Sequence, residues 1–500
     1  MASHIDLPVT PQELESRLWE AANILRGSPV ERTDWKSYIL PLLFFKRICD
    51  VWDEEHAKMI EEYGEDFADE HCFQIPDKCH WSDLRKISNN LGSALSNAMR
   101  CIENDNQHLA GVFGDAQWTN KARIPDELLK NLIEQFSVLK LGNCRVTTDV
   151  IGDAYEYLIK KFADATNKKA GEFYTPRTIV KLMVDILSPK EGETIYDPAC
   201  GTGGMLLATV AHAREHGADY RRFFGKLYGQ EKNLTTASVA RMNLFLHGIE
   251  DFAIERGDTL RYPAFTDPKT GGLATFDVVI ANPPFSLEQW GREVWENDPW
   301  GRAFAGLPTD NNADMAWVQH MVMSMAPEDG RMGVVLPQGT LFRGGIEAQI
   351  RQYLLEKDMI DTVIGLAPNL FYGTGLSACV LVIRQRKDGH RKGKVLIVDG
   401  SSQFRKGRAQ NYLEPEHVDT IRSWVLGYSD VKDHARVVPL AEIENEGWTL
   451  NITRYITAQT GADIPSLPDA VAVYKEALDK CGQAEEKLRR IMVEDGWLTE

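Results

Sequence analysis

A buried strand that runs into Asn282-Pro283-Pro284-Phe285 constrains the fold of this chain more than any other feature. Residues 276–281 are apolar apart from one aspartate, a pattern typical of an interior strand of an α/β sheet. Two consecutive prolines fix φ and lack N–H donors, so the chain must leave the sheet in a stiff, extended turn. Ligands of open α/β sheets bind at the carboxyl ends of the strands. The sequence therefore predicts a binding site at residues 282–285.

The residue types in this turn suit one ligand, a planar NH2 group on an aromatic ring. The Asn282 side-chain oxygen and the Pro283 carbonyl can both accept hydrogen bonds from such an amine, while Pro284 keeps the turn stiff. Phe285 can stack on the ring that carries the amine. We interpret these four residues as the catalytic part of a site that methylates an exocyclic amine of a flipped base.

The methyl donor is expected at an earlier strand that ends in a glycine-rich turn. This strand, at residues 194–197, is followed by a turn and then by a helix from Met205. Glycine lets the backbone approach a ligand closely, and a helix N-terminus favours a carboxylate, here that of the methionine part of S-adenosylmethionine. The candidate cofactor-binding residues in this segment are Asp197, Gly201, Thr202, Gly203 and Gly204.

Two further acidic residues follow the next two predicted strands. Glu231 ends the strand Tyr228 to Glu231, where an acid suits a bidentate contact to ribose hydroxyls. Asp258 follows the third strand and can accept a hydrogen bond from the cofactor's adenine amine. A glycine-rich turn is weak evidence by itself. The order of these acids, with the turn at 282–285 on the next strand, favours a methyltransferase site.

These motifs identify a resemblance that covers nearly the whole chain. The chain resembles the modification (methylation) subunit of type I restriction-modification systems, which are N6-adenine DNA methyltransferases. A segment just before the glycine-rich strand strengthens the likeness, since in this family it folds over the methionine end of the cofactor. The resemblance implies that this segment contacts the cofactor together with Thr202 to Gly204 and Glu231. Its residues are Glu172, Phe173, Tyr174, Thr175, Pro176 and Arg177.

The resemblance also implies partners and a target base. The partners are double-stranded DNA, a separate specificity subunit that binds two copies of this chain, and a restriction subunit in the full complex. Asn282 rather than serine favours N6 of adenine over N4 of cytosine within the family. Cytosine C5 methylation needs a nucleophilic cysteine that typically follows proline, and Cys200 follows Ala199.

The residue patterns indicate that this chain needs a partner to recognise a DNA sequence. Only 117 residues follow Ile383, which is short for a base-reading domain. No Gly-Lys-Ser/Thr phosphate loop is present, so no ATP motor is expected in this chain. Fifty-six basic and 73 acidic residues give a net charge of −17, a poor balance for binding DNA alone. Either a partner supplies much of the DNA contact or a basic groove is present, with clusters at 384–391 and 392–408 as candidates.

Two alternative functions remain open from the residues. The same turn can present a protein glutamine amide or an RNA amine, which would make the chain a protein or RNA methyltransferase. The helical first 145 residues and the tail disfavour that alternative. The other alternative is a non-catalytic scaffold of the same fold, which the intact Asn282 and Glu231 disfavour.

The periodicity predicts a doubly wound α/β domain with a mainly parallel sheet and helical regions on both sides of it in sequence. We predict a helical domain at 1–145, a methyltransferase domain at 146–435 that has a terminal hairpin, and a helical tail at 436–500. The N-terminal helices are expected at 11–25, 34–52 with Asp34 as its cap, 83–101 and 126–136.

Two segments have alternative interpretations. The loop 286–312, which holds Trp290, Trp295 and Trp300, is either a lid over the extruded base or an anchor against the core. The tail helix at 468–492 carries an apolar seam from Val471 to Met492, which docks either on a partner's helices or on its own domain.

The cysteines and the hydropathy predict the compartment. Eight scattered cysteines without paired spacing fit a reducing environment. The pairs His71-Cys72 and Cys79-His80 lack the tight spacing of a zinc site, so no metal is predicted. The amino terminus has no apolar signal run, and no stretch approaches 18 uncharged apolar residues. A cytoplasmic protein without membrane spans is therefore expected.

Overall fold

The computed structural model describes residues 10–64, 71–166, 175–371, 375–408, 410–456, 467–495 and 497. The chain divides into two compact units, Met1–Ile456 and Thr457–Glu500. Within the described residues, no helix is both long enough and apolar enough to serve as a membrane span.

The first unit begins with six helices that share one apolar core. They are α1 (Pro11–Asn23), α2 (Trp35–Tyr63), α3 (Trp81–Leu84), α4 (Leu91–Asp105), α5 (Asp126–Ser137) and α6 (Thr148–Thr166). In α2 the apolar residues recur at helical spacing, and most side chains between Tyr38 and Val51 are buried. The helix continues through Pro41. These helices pack around one another as the periodicity predicts.

Two details of the predicted helices were wrong. The helix expected at 83–101 is interrupted between α3 and α4, because Asn90 adopts a left-handed backbone with φ of 55°, a conformation that asparagine tolerates better than most residues. Asp34 precedes α2 but forms no side-chain cap. Its carboxylate instead accepts a hydrogen bond from Arg123 at 3.0 Å.

A nine-stranded sheet follows, with helices on both of its faces. Its strands are β1 (Ile195–Asp197), β2 (Leu227–Glu231), β3 (Ala253–Arg256), β4 (Val278–Ala281), β5 (Arg331–Pro337), β6 (Ile360–Gly365), β7 (Ala378–Arg384), β8 (Lys394–Asp399) and β9 (Ala435–Pro439). The helices of this region are α7 (Arg177–Leu187), α8 (Gly204–Glu215), α9 (Leu234–Leu246), α10 (Arg292–Trp295), α11 (Asp314–Met323), α12 (Ile346–Glu356) and α13 (Pro415–Gly427).

The strand order is β3-β2-β1-β4-β5-β7-β6-β8-β9. Strands β1 to β5 pair in parallel, and β6 pairs in parallel with β8. Strand β7 lies between β5 and β6 and is antiparallel to both. Among the strands in which we predicted a terminal hairpin, β6 and β7 form an antiparallel pair, whereas β8 lies on the other side of β6 and is parallel to it. Strand β9 then pairs antiparallel with β8 after α13. The predicted doubly wound, mainly parallel α/β fold is confirmed.

Alternating residues of β4 explain its unbroken apolar run. Val278 and Ile280 face the core beneath α7, α8 and α9, whereas Val279 and Ala281 face the core beneath α11 and α12. Successive strand side chains point to opposite faces, so a strand that is covered on both sides must be apolar throughout. Residue 282, the first residue after β4, lies at the carboxyl end of this strand.

Helix α9 joins the N-terminal helices to the sheet. Its residues Val239, Met242 and Phe245 pack in the core of the first six helices, while Ala240 and Leu244 pack toward the sheet. The helical N-terminal region therefore shares its core with the sheet region, and the predicted boundary at residue 145 remains a prediction.

The first unit continues beyond the boundary that we predicted at residue 435. That boundary falls at the start of β9, which is followed by α14 (Leu440–Asn445) and α15 (Ile452–Tyr455). Side chains of these two helices, including Ile443 and Ile452, are buried in the core on the α11 side of the sheet.

The second unit is described through one helix, α16 (Leu467–Glu494). Between residues 467 and 494 the structure buries none of the side chains. The predicted seam includes Tyr474 and Leu478, which are 64% and 51% exposed.

Candidate functional site

A cavity of about 1030 Å³ opens at the carboxyl edge of β1, β2 and β4. Because these neighbouring strands are parallel, the residues that end or follow them meet at one edge of the sheet. Ten of the predicted site residues line this cavity. They are Thr175, Arg177, Asp197, Gly201, Thr202, Gly204, Glu231, Asp258, Asn282 and Pro284.

The glycine-rich turn between β1 and α8 leaves space for a ligand. Gly201 and Gly203 have φ angles of 53° and 80°, in the left-handed region where glycine is favoured. A Cβ atom added at Gly201 or Gly204 would meet no heavy atom within 4 Å. The turn is therefore open on the side of these two residues, and α8 begins at Gly204 with its free backbone N–H groups.

Glu231 holds this turn against the end of β2. Its carboxylate accepts hydrogen bonds from Gly201 N at 3.1 Å and from Asn233 N at 2.7 Å. Cys200 N donates to the Gln230 carbonyl at 3.0 Å. Glu231 also lines the cavity, where a carboxylate suits ribose hydroxyls.

Asp197 lies beneath the turn and is 2% exposed. Its Oδ1 accepts a hydrogen bond from Ala199 N at 3.0 Å. Burial raises the pKa of Asp197 to about 8, and the negative charge of Glu231 adds to this shift. The protonated carboxyl is therefore favoured at neutral pH in the absence of a cationic ligand.

Asp258 is held by two basic residues. Its Oδ2 lies 2.8 Å from Lys232 Nζ and 3.8 Å from Arg261 Nε. Its Oδ1 is 3.4 Å from Arg261 N. The carboxylate is thus oriented at the cavity, with Oδ1 in a weaker hydrogen bond than a typical one.

Asn282 presents an unsatisfied acceptor at the cavity. Its Nδ2 donates to Thr175 Oγ1 at 2.8 Å, which orients the amide. Its Oδ1 is buried and has no hydrogen-bond partner among the residues that the structure describes. Burying an acceptor without a partner costs about 1–3 kcal/mol, so such an atom at a cavity wall is typical of a ligand-binding group.

The other predicted residues have different surroundings. Pro176, Gly203, Pro283 and Phe285 are described but are not part of the cavity lining. Phe285 packs edge-on against Phe371, with ring centroids 5.5 Å apart. Arg177 forms an ion pair with Glu156, on α6. Glu172, Phe173 and Tyr174 lie outside the described residues.

The loop 286–312 is anchored by its aromatic residues. Trp290 Nε1 and Trp295 Nε1 donate to the carbonyls of Thr309 and Leu260 at 2.8 and 2.7 Å, and both side chains are buried. Arg302, which is fully buried, pairs with Asp298 and lies over the rings of Trp295 and Trp300. These contacts favour the anchor interpretation of this loop over the lid.

Acidic and histidine side chains also meet at the cavity. Asp153, Glu156 and His247 place potential metal ligands within 4.8 Å of one another. Arg177 pairs with Glu156 and so neutralises part of this cluster. The residues considered for zinc lie elsewhere, where His71 packs against Trp52 and His80 Nε2 lies 3.1 Å from Asp53.

The basic cluster at 384–391 is largely engaged inside the fold. Arg384 and Arg391 lie 3.5 and 2.9 Å from Asp361, which is buried. Lys387 is buried and donates to Asp358 at 2.6 Å. These ion pairs argue against the cluster as a DNA-binding groove.

The sequence did not single out several residues that line the cavity. Trp317 and Leu287 lie on the side of residues 282–285, and Lys36 and Ser37 come from the start of α2. The helical N-terminal region therefore contributes to the cavity wall. No motif marks these positions, since a tryptophan on an amphipathic helix is an ordinary core residue.

Comparisons with known proteins agree with the geometry. The family model for the N-6 DNA methylases matches residues 146–463, and that for the HsdM N-terminal domain matches residues 14–136. The chain is 30% identical to the type I restriction enzyme MjaIX methylase subunit of Methanocaldococcus jannaschii, over 98% of this chain and 92% of that one. It is 28% identical to the HindI methylase subunit of Haemophilus influenzae, over 83% of this chain and 98% of that one.

A solved structure is also similar. The type I restriction-modification methyltransferase subunit from Streptococcus thermophilus superposes with a TM-score of 0.77 at 31% identity, and the match covers 90% of this chain and all of that one. The resemblance predicted from the motifs is thereby confirmed. This chain belongs to the N-6 DNA methylase family and, within it, to the methylase subunits of type I restriction enzymes.

Proposed function

We propose that this chain is the modification subunit of a type I restriction-modification complex and transfers a methyl group from S-adenosylmethionine to N6 of adenine in double-stranded DNA. The observation that carries the proposal is the unsatisfied Asn282 Oδ1 in the same cavity as the open glycine turn. An acceptor and an open turn beside a helix N-terminus match the two ligands of such a reaction, an amine and a cofactor that carries a carboxylate.

The residues around the cavity fit S-adenosylmethionine. Gly201, Thr202 and Gly204 leave room for its methionine part, with Asp197 beneath them. Glu231 and Asp258 provide carboxylate oxygens for the ribose and adenine parts. The segment that contains Thr175, Pro176 and Arg177 contributes to the same site. When bound, the cofactor supplies an electrophilic methyl group.

The chain's own residues prepare the amine for transfer. The lone pair of an adenine amino nitrogen is delocalised into the ring, which makes it a poor nucleophile. Asn282 Oδ1 and the Pro283 carbonyl accept hydrogen bonds from its two N–H groups and favour the tetrahedral geometry that frees the lone pair. Thr175 Oγ1 accepts a hydrogen bond from Asn282 Nδ2, and this bond orients the amide so that Oδ1 points away from Thr175. Polar groups that are preorganised in this way are usually the largest catalytic contribution.

Phe285 and the turn around it support the extruded base. Flipping a base costs a few kcal/mol in lost stacking. Phe285 is not itself in the cavity lining but directly follows Pro284, which is, and stacking of the adenine on Phe285 would offset part of this cost. The rings of Phe371 and Phe285 pack edge to face. Pro284 lines the cavity beside Asn282.

Partners supply what this chain lacks. A separate specificity subunit reads the DNA sequence, binds two copies of this chain, and joins a restriction subunit in the full complex. The exposed apolar residues of α16, among them Tyr474 and Leu478, support a helical docking site for that partner. All eight cysteines are free thiols, which supports a cytoplasmic location.

The test measures methyl transfer directly. The protein is incubated with tritiated cofactor and double-stranded DNA, with and without its co-purified partner chains, and the methylated base is identified by digestion and chromatography. We expect labelled N6-methyladenine, with transfer that depends on the partner. Label in protein or RNA, or no label with an intact complex, would contradict the proposal.

A further inference from the structure

Trp317 lies at the cavity wall on the side of the proposed catalytic turn. It is in the first turn of α11, which connects the loop after residues 282–285 to β5. Its side chain is 5% exposed and lines the same cavity as Asn282, Pro284 and Leu287.

The indole N–H of Trp317 is a buried donor without a partner. Nε1 has no hydrogen-bond acceptor among the residues that the structure describes. Its neighbours Trp290 and Trp295 in the same apolar cluster both donate to backbone carbonyls. An indole nitrogen can only donate, and leaving it buried and unpaired is unfavourable. A ligand that brings an acceptor into the cavity would satisfy it.

The position of Trp317 is linked to that of the catalytic turn. Asp314, one helical turn before it, accepts from Ser286 N at 2.8 Å and pairs with Arg343 at 3.0 Å. Ser286 directly follows Phe285, so the start of α11 is tied to the end of the turn. The unpaired donor of Trp317 and the unpaired acceptor of Asn282 thus lie in two segments that are joined by a hydrogen bond and line the same cavity.

We propose that Trp317 Nε1 donates a hydrogen bond to N1 of the flipped adenine, next to the N6 amine, which donates a hydrogen bond to Asn282 Oδ1. The inference rests on the proposed function and extends it to substrate selection. The Watson–Crick edge of adenine carries an N6 donor beside an N1 acceptor, which complements an acceptor beside a donor. Guanine and thymine carry an N–H at the corresponding ring position, so the indole N–H would face another donor and reject them. Cytosine passes the same test, since its N3 acceptor adjoins its N4 amine.

The experiment combines one variant with one atomic change in the DNA. The complex co-purified with its partner chains is assayed after its target adenine has been mapped, using DNA with adenine or 1-deazaadenine at that position. Trp317→Phe keeps an aromatic ring and removes the donor. We expect the variant to lower kcat/KM on adenine DNA about tenfold, the size expected when a buried polar group loses its partner.

The decisive quantity is the ratio of kcat/KM on adenine DNA to that on 1-deazaadenine DNA. Dividing the wild-type value of this ratio by the value for Trp317→Phe cancels the separate effects of the two changes and isolates their coupling. The ratio should be about tenfold smaller in Trp317→Phe than in the wild type. Trp290→Phe is the matched control, because its indole already has an acceptor in Thr309, and it should keep the wild-type ratio.

Other outcomes would overturn the inference. Equal ratios in the wild type and Trp317→Phe would do so while leaving the proposed function intact. Weaker S-adenosylmethionine binding by calorimetry with an unchanged ratio would assign the donor to the cofactor instead. A wild-type complex that methylates no DNA would overturn both proposals. The wild type also provides a test that needs no variant, since 7-deazaadenine retains N1 and should be methylated better than 1-deazaadenine.

Discussion

Replacing Asn282 with alanine should separate activity from stability. The proposed role of Asn282 is to accept a hydrogen bond from the target amine. Removing one such preorganised group typically lowers kcat by a factor of about 10²–10³. Cofactor binding should be retained, because the proposed role of the Asn282 side chain is toward the target amine and its amide donates to Thr175 among the described residues. The measurement is single-turnover methylation of DNA by the partner-bound complex, with calorimetry for the cofactor.

The stability of the same variant follows from its hydrogen bonds. The folded protein loses the bond from Nδ2 to Thr175, worth about 0.5–1.5 kcal/mol, and no longer buries the unpaired Oδ1, whose cost is about 1–3 kcal/mol. The free energy of unfolding should therefore change by between about −0.5 and about +2.5 kcal/mol. Urea denaturation of the ligand-free protein measures this difference.

Asn106 provides the matched control. Its Nδ2 donates to the carbonyls of Gln74 and Ile102 at 2.7 Å, and its Oδ1 accepts from Gln74 N at 2.8 Å. Asn106→Ala removes a satisfied amide in the helical region, so it should lower stability by about 1–3 kcal/mol without changing transfer. The reasoning is refuted if Asn282→Ala keeps transfer within tenfold of the wild type, or if it destabilises the protein as much as Asn106→Ala does.

Three further predictions follow from the carboxylates and the buried arginine. Glu231→Ala should weaken S-adenosylmethionine binding about tenfold or more in calorimetry, since it removes a charged acceptor from the turn and from the ribose, and unchanged affinity would contradict the assigned contact. The pKa of Asp197 is about 8 in the folded protein and 3.8 in the unfolded chain, so the unfolded chain releases this proton at a lower pH than the folded protein does. Stability should then fall as the pH rises from about 4 to about 8, and Asp197→Asn should flatten that dependence in urea titrations; an unaltered pH profile would argue against a protonated carboxyl. Arg302→Met leaves the buried Asp298 without its counter-charge and should cost about 3–5 kcal/mol of unfolding free energy, whereas the exposed Arg17→Met should change it by less than about 0.5 kcal/mol.

The fold could be predicted because its determinants are local. Strand β4 is apolar at every position since it is buried on both faces, and the two prolines after it end the strand irrespective of other contacts. The alternation of such strands with amphipathic helices restricts the arrangement to a doubly wound sheet. The position of β7 could not be predicted in this way, because an apolar run fits a parallel or an antiparallel neighbour equally well.

The candidate site was predictable where the chemistry lies in consecutive residues. The turn at 282–285 and the glycines at 201–204 follow their strands directly, and the parallel sheet brings them to one edge. Their roles in binding and catalysis remain predictions. Trp317 and Ser37 reach the same cavity from distant parts of the chain, and their local sequence carries no sign of it.

The amino-acid sequence by itself determined the strands, the stiff turn, the order of the acidic residues and the family, because each depends on neighbours within a few positions. Only the tertiary structure decided which polar atoms are left without partners. Whether Asn282 Oδ1 or Trp317 Nε1 finds a hydrogen-bond partner depends on side chains far away in sequence. The folded chain excludes water from these two atoms, so a ligand that supplies the lost hydrogen bonds binds favourably.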